Sequence, residues 1–357
     1  MRRLIGLTLT AMLLLTAIAG CDFGQGQQSQ YITNRRSFLD TFNTVVEVVG
    51  FTKSTEEFDI YFAYAQSRFQ ELHRLFDIYN SYEGLNNAKT INDKAGIQPV
   101  EVDKDLIDLV VLSKEWALTG PGRMNIAMGP VLKIWHNYRT HGTNSENPQL
   151  PPMERLQEAL KLTDINKVIV DTENNTIFLA QKGMSIDLGA IGKGFAAELV
   201  AREIEAMGLK AGAINAGGNV RTIGTPVSSN DFWTVRITDP DSEREYLDRV
   251  FIGQASVVPS GDYQRYYYVD GVAYHHLIDP TTLMPAKYFR AVTVVTPDSG
   301  FGDLVSTELF LLPYEESRRL AESLEDVEAH WVMPDGEVRF TEGMRRILES
   351  EGAKNTK

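Results

Sequence analysis

Cysteine is almost missing from this chain: Cys21 is the only one in 357 residues. One thiol cannot close an intrachain disulfide, so stability must come from a packed core rather than covalent staples. Positive charge is in deficit too. Forty-eight Asp and Glu against 35 Lys and Arg leave a formal charge of −13. That balance lacks the electrostatic footprint of a nucleic-acid binder. It also means that any site for a phosphorylated ligand must bring a metal or local donors. No fixed-period repeat is present, which excludes a solenoid or propeller. Hydrophobic residues make up 43% of the chain, which suits a globular protein and not a disordered one.

The N-terminus carries a clear signal. Met1-Arg2-Arg3 is followed by the apolar run Leu4 to Ala19, then Gly20-Cys21. A basic start, an apolar stretch shorter than the roughly 20 residues of a membrane span, and small residues at the end read as a secretory signal. Small residues directly before a cysteine form the bacterial lipoprotein cleavage pattern. Residues 1–20 are therefore expected to be a signal peptide and Cys21 the lipidated residue. Acylation there would give the lone thiol its role and anchor an exported protein to the membrane, facing the periplasm or cell exterior. An uncleaved anchor helix is the competing reading. Residues 21–35, with Gly24-Gln25-Gly26-Gln27-Gln28, read as a flexible tether. Residues 36–357 are left for a single large domain.

Within that domain, Phe38 to Phe51 reads as a strand, and Thr55 to Asp77 as a long amphipathic helix with Phe58, Phe62, Ala65, Phe69, Leu72 and Phe76 on one face. Asp103–Leu118 and Leu150–Leu162 look like further helices. Lys167–Asp171 and Thr176–Ala180 look like a hairpin. Ser185 onward is expected to join a strand to a helix ending near Met207. Ala213–Asn215, Trp233–Ile237, Phe251–Val258, Tyr266–Val269 and Val292–Val295 are strand candidates, and Gly302–Leu312 is helical by spacing. The tail reads as a helix, the strands Ala329–Met333 and Val338–Phe340, and a last helix. Strands and helices mix irregularly, which makes the fold class α+β.

Five segments could carry chemistry. Asp187 to Gly194 holds glycines at 189, 192 and 194 and Lys193 at a helix start, a workable phosphate cradle. It matches neither the dinucleotide fingerprint nor the Walker loop, and alone it reads equally as a plain strand-to-helix turn. Gly217-Gly218-Asn219 is a tight turn. Pro259-Ser260-Gly261-Asp262-Tyr263 offers a hydroxyl and a carboxylate, or is simply a hairpin loop. His275-His276-Leu277-Ile278-Asp279-Pro280 pairs histidine with a carboxylate, the makings of a general base, or of two strand-end histidines with one ring buried. Asp303 and Thr307 lie four apart on one helix face, hard oxygen donors that suit Mg²⁺. Asp303 alone reads as a helix-start charge.

In this order the five segments resemble the motif series of the ApbE family, the FAD:protein FMN transferases. The series runs Asp-Leu-Gly-x-Ile-x-Lys-Gly, Gly-Gly-Asn, Ser-Gly-Asp-Tyr, His-x-Ile-Asp-Pro-x-Thr-x-x-Pro and Asp-x-x-Ser-Thr. The resemblance spans about Phe38 to Gly343. It implies a T-fold-like α+β domain of mixed sheets and packed helices. It implies Mg²⁺ held by Asp303, Thr307 and the Ala190 carbonyl. FAD, the substrate, would lie against Asp187, Lys193 and His276, with Tyr79 and the Arg123-Met124-Asn125 segment completing the flavin-nucleotide site. Tyr79 and Met124 would supply surface for the rings. Asn125 stands where many members carry aspartate, Leu283 where many carry glycine, and Asp40-Thr41-Phe42-Asn43 where many carry Met-Gly-Thr.

The implied reaction transfers FMN from FAD to a Thr or Ser hydroxyl of an acceptor protein and releases AMP. Mg²⁺ and Lys193 would neutralise phosphate charge, and His276 would take the hydroxyl proton. The acceptors implied are membrane redox proteins with a short Asp-x-x-small-small-Thr/Ser motif. The same site could instead hydrolyse FAD to FMN and AMP, or the chain could be a non-catalytic periplasmic flavin-binding lipoprotein.

Overall fold

The computed structural model describes residues 31–227 and 231–354. The expected signal peptide and Cys21 lie outside these residues. The first described strand begins at Ile32, which pairs with Thr52 across the first hairpin.

The frame is an eight-stranded antiparallel sheet. Its spatial order is β1 (Ile32–Thr41), β2 (Thr44–Thr52), β6 (Gly212–Ala216), β7 (Asn219–Ile223), β10 (Ser256–Gly261), β13 (Ala291–Thr296), β14 (Glu328–Val332) and β15 (Val338–Phe340). Three smaller sheets accompany it: β3 (Val100–Glu101) with β5 (Thr176–Leu179) and β4 (Val168–Asp171), β8 (Trp233–Ile237) with β9 (Asp248–Ile252), and β11 (Tyr267–Val269) with β12 (Val272–Tyr274). The helices are α1 (Thr55–Phe76), α2 (Ala88–Asp93), α3 (Lys104–Thr119), α4 (Gly129–Gly142), α5 (Met153–Leu160), α6 (Gly192–Ala206), α7 (Ser299–Phe310), α8 (Tyr314–Ser323) and α9 (Glu342–Ile347).

Helix α1 forms where the phenylalanine spacing places it. Ser54 caps it by accepting the Glu57 N–H, and Phe58, Ala65, Phe69 and Leu72 are fully buried. With α6 and α7 it covers one face of the large sheet and forms the main core. The β8–β9 hairpin and α9 cover Val49, Ala213, Val220 and Val257 on the other face. Helices α4 and α5 and the β11–β12 hairpin enclose a third cluster around Trp135 and Tyr267.

The strand expected over Phe38–Phe51 is a hairpin, not one strand. Phe42 and Asn43 both adopt positive φ, 51° and 52°, and turn β1 back into β2. Phe42 tolerates a backbone that costs about 1–3 kcal/mol because its ring is held by Phe69, His73 and Phe76 at centroid distances of 5.4–6.3 Å. The expected Phe251–Val258 strand divides at Gly253–Ala255 into β9 and β10, which belong to different sheets. Pro259–Gly261, read as a possible loop, lies within β10. Residues 185–191, expected to begin with a strand, form none. Ile186 exchanges its backbone hydrogen bonds with the Asn92 side chain at 2.7 and 3.0 Å, and the Asp187 N–H donates to the Ile126 carbonyl at 2.8 Å. A side chain takes the place of a neighbouring strand, which leaves Asp187 to Ile191 as an irregular loop.

Candidate functional site

Helices α6 and α7 cross almost in backbone contact because residue 194 is glycine. A Cβ there would sit 2.2 Å from the Ser299 carbonyl oxygen and 2.5 Å from the Asp303 Cβ. The Gly194 N–H donates to Asp303 Oδ2 at 2.8 Å. Lys193 Nζ lies 3.4 Å from each Asp303 oxygen, longer than the roughly 2.7–2.9 Å of a tight ion pair. Asp303 itself is 3% exposed, so its carboxylate depends on nearby positive charge.

Hydroxyls gather beside it. Ser306 and Thr307 both donate to the Asp303 carbonyl, at 3.0 and 3.2 Å, and Ser260 Oγ from β10 lies 3.0 Å from Ser306 Oγ and 3.5 Å from Thr307 Oγ1. Ala190 is half-buried on the loop that leads into α6, two residues before Gly192. Asp303 and these hydroxyls are hard oxygen donors, of the kind that suits a magnesium ion keeping waters or phosphate oxygens. Among the described residues no group of three or more His, Cys, Asp or Glu could hold a metal, so a thiolate or imidazole centre has no ligand set there.

A second group of expected site residues lies around Asp187. Burial pushes its carboxyl above the usual range, while the Gly189 N–H donating to Oδ1 at 2.9 Å and nearby His136, Arg265 and Arg139 pull it back. Tyr79 is 57% exposed, and its ring packs on His136 with centroids 5.4 Å apart. His136 Nδ1 in turn lies 3.1 Å from an Arg139 guanidinium nitrogen.

The two adjacent histidines have separated roles. His275 is buried and satisfied: Nε2 contacts the Ala286 carbonyl at 2.7 Å and Nδ1 accepts the Leu277 N–H. His276 Nδ1 is buried with no hydrogen-bond partner among the described residues. Burial, reinforced by Arg265, His275, Arg139 and Lys193, holds the His276 ring well below its ordinary pKa, so it is neutral near pH 7. Lys193 and Arg265 are both among the positive charges that disfavour protonation of this ring.

In the Arg123-Met124-Asn125 segment, Met124 is buried in the main core. Arg123 NH1 donates to Asp279 Oδ1 at 3.0 Å, and the Asn125 side chain donates to the Thr163 carbonyl and accepts the Ala127 N–H. These polar ends are committed to scaffold bonds. Leu283 holds φ 59°, a backbone that favours glycine, and stays buried against the α4 cluster while its carbonyl accepts the Trp135 indole N–H.

Sequence reasoning did not single out His136, Arg139, Arg265 or Glu308, which the structure places around these groups; for the first two, Pro130 at the start of α4 is an available helix signal.

A family model described as ApbE family matches residues 42–331. An FAD:protein FMN transferase of Klebsiella pneumoniae (strain 342) is 32% identical over 281 residues, 76% of this chain and 85% of that protein. One from Treponema pallidum (strain Nichols) is 32% identical over 268 residues, 71% of this chain and 72% of that protein. Among solved structures, the ApbE protein of Thermotoga maritima superposes with a TM-score of 0.78 at 27% identity, covering 89% of this chain and 99% of its own. The flavin transferase ApbE of Vibrio cholerae, at 19% identity and TM-score 0.74, shares the fold over 89% of this chain and all of its own. With the family model spanning most of the chain and these relatives matched over most of their length, the protein belongs to the ApbE family.

Proposed function

We propose that this protein is a flavin transferase that moves FMN from FAD to a Thr or Ser hydroxyl of an acceptor protein and releases AMP. The observation that carries the reading is the meeting of Lys193 and Gly194 with Asp303 across the α6–α7 crossing. The names of the relatives support the same activity.

Asp303 and Thr307, with the Ala190 carbonyl, would hold Mg²⁺, which when bound neutralises diphosphate charge and orients it. Lys193 adds a second positive charge at the same phosphates. Tyr79 offers an exposed ring face for an aromatic group of FAD, and Asp187 a carboxyl for its polar edge. Neutral His276 accepts the proton of the acceptor hydroxyl as its oxygen attacks the FMN-side phosphorus. The bond from that phosphorus to the bridging oxygen breaks, and the electron pair leaves with AMP. The preceding Cys21 would carry the lipid that places this exported domain at a membrane, near membrane-bound acceptors.

The test mixes purified protein with FAD, Mg²⁺ and an acceptor bearing the Thr/Ser motif. The expected result is an in-gel flavin fluorescence band on the acceptor with matching AMP release, both abolished by EDTA and restored by Mg²⁺. FMN and AMP without acceptor labelling would establish the hydrolase instead. FAD binding with no AMP under any condition would leave only a flavin carrier.

A further inference from the structure

Glu308 is the residue after Thr307 on α7, and its side chain is fully buried in a helix that also buries Leu304, Val305, Leu309 and Phe310. A carboxylate in such a place is costly unless compensated, and burial does push it above the usual range. Its compensation is specific. Oε1 accepts the Arg123 N–H at 2.9 Å, and Oε2 accepts the Met124 N–H at 2.8 Å and the Trp116 indole N–H at 3.0 Å. Residues 121–125 form no regular structure, so the carboxylate supplies the acceptors a neighbouring strand would have supplied.

The connection continues outward. Arg123 sends its guanidinium to the fully buried Asp279, which also accepts the Thr281 N–H and hydroxyl at 2.8 and 2.7 Å. Asp279 lies three residues beyond His276. One side chain on the helix of Asp303 and Thr307 therefore fixes the loop before Asp187's partner Ile126 and, through Arg123, the segment that carries His276.

We propose that Glu308 is a positioning residue that sets the distance between the oxygen-donor face of α7 and the wall that receives the flavin nucleotide. The inference rests on the flavin-transferase reading. It predicts a separation of effects, because the Glu308 carboxylate bonds to Arg123, Met124 and Trp116 and not to the side chains of Asp303, Thr307 or Lys193.

The test compares wild type with Glu308→Gln, whose amide NH₂ must face at least one of the three N–H donors. The expected result is an about ten-fold higher KM for FAD, about 1.4 kcal/mol, with kcat and the Mg²⁺ half-saturation within about two-fold of wild type. Hydrogen exchange at the Arg123 and Met124 amides should accelerate. Glu308→Asp, which keeps the charge but shortens the reach, should shift KM in the same direction and covers the case in which the glutamine variant does not fold. Trp116→Phe removes only the indole donor and should leave KM within about two-fold. Unchanged FAD KM in both Glu308 variants, or a Trp116→Phe variant that raises it equally, would overturn the assignment. Wild type that is itself inactive with FAD and acceptor would instead sink the functional reading.

Discussion

Lys193 Nζ stands 3.4 Å from both carboxylate oxygens of Asp303, reaching from the first turn of one helix to a buried position on another. Asp303 thus has one loosely held lysine and one N–H as its neighbours among the described residues. Asp303→Asn keeps an oxygen for the Gly194 N–H but removes the negative charge. The chain should fold, with a thermal midpoint close to wild type, and lose flavin transfer by two orders of magnitude or more, since a metal ligand contributes several kcal/mol to such a transition state. Mg²⁺-dependent labelling that persists in the variant would show that Asp303 holds no metal.

Gly194 makes that contact possible, so its side chain is testable by addition. Gly194→Ala drives a methyl into the Ser299 carbonyl and the Asp303 Cβ, both on a helix that cannot yield without moving the sheet beneath it. Overpacking of this kind costs about 1–3 kcal/mol, and here it would also part Lys193 from Asp303. Urea unfolding should show the loss of stability, and the Mg²⁺ concentration for half-maximal activity should rise. A variant as stable and as active as wild type would mean that the helices can separate freely.

Much of this arrangement was legible because local signals agreed with the fold. The helix of Asp303 and Thr307 announced itself by spacing, and the order of the five motifs pointed to the family. The rest depended on tertiary partners. Nothing in the pair His275-His276 tells which ring is capped by the Ala286 carbonyl and which is left open. Phe42 is no turn former, yet the rings of α1 hold it at positive φ. Ile186 reads as a strand until Asn92, far away in sequence, occupies its backbone. Glu308 looks like a surface charge on an ordinary helix until the loop at Arg123 is folded over it.

His276 gives a pH prediction. Its ring is held well below the ordinary histidine value, so at pH 7 it is already neutral and able to accept a proton. Activity should fall only when acid protonates it, which places the acid limb of kcat/KM well below pH 6.5. The limb of kcat should lie higher, because bound diphosphate favours the charged ring. His276→Ala should lower kcat by about 10²–10⁴ and flatten that limb. An acid limb unchanged in the variant would assign the titration, and the base, to another group.

The second unpartnered histidine should govern acid stability instead of catalysis. His330 lies on β14, 1% exposed, its ring stacked on Phe340 at 6.4 Å and its Nδ1 without a partner among the described residues. Burial lowers its pKa from 6.5 to about 4, with Asp248 opposing weakly. The folded state therefore disfavours the protonated ring that the unfolded chain accepts readily. Stability from this group is complete above pH 6.5 and drains away as pH falls toward 4, by about 3 kcal/mol at most. Comparing urea midpoints at pH 7.5 and pH 4.5 in wild type and His330→Phe isolates it, since carboxylates titrate alike in both. The variant should lose markedly less stability over that interval while keeping flavin transfer at neutral pH. Equal losses in the two proteins would show that water reaches His330 and that its burial does not control the acid transition.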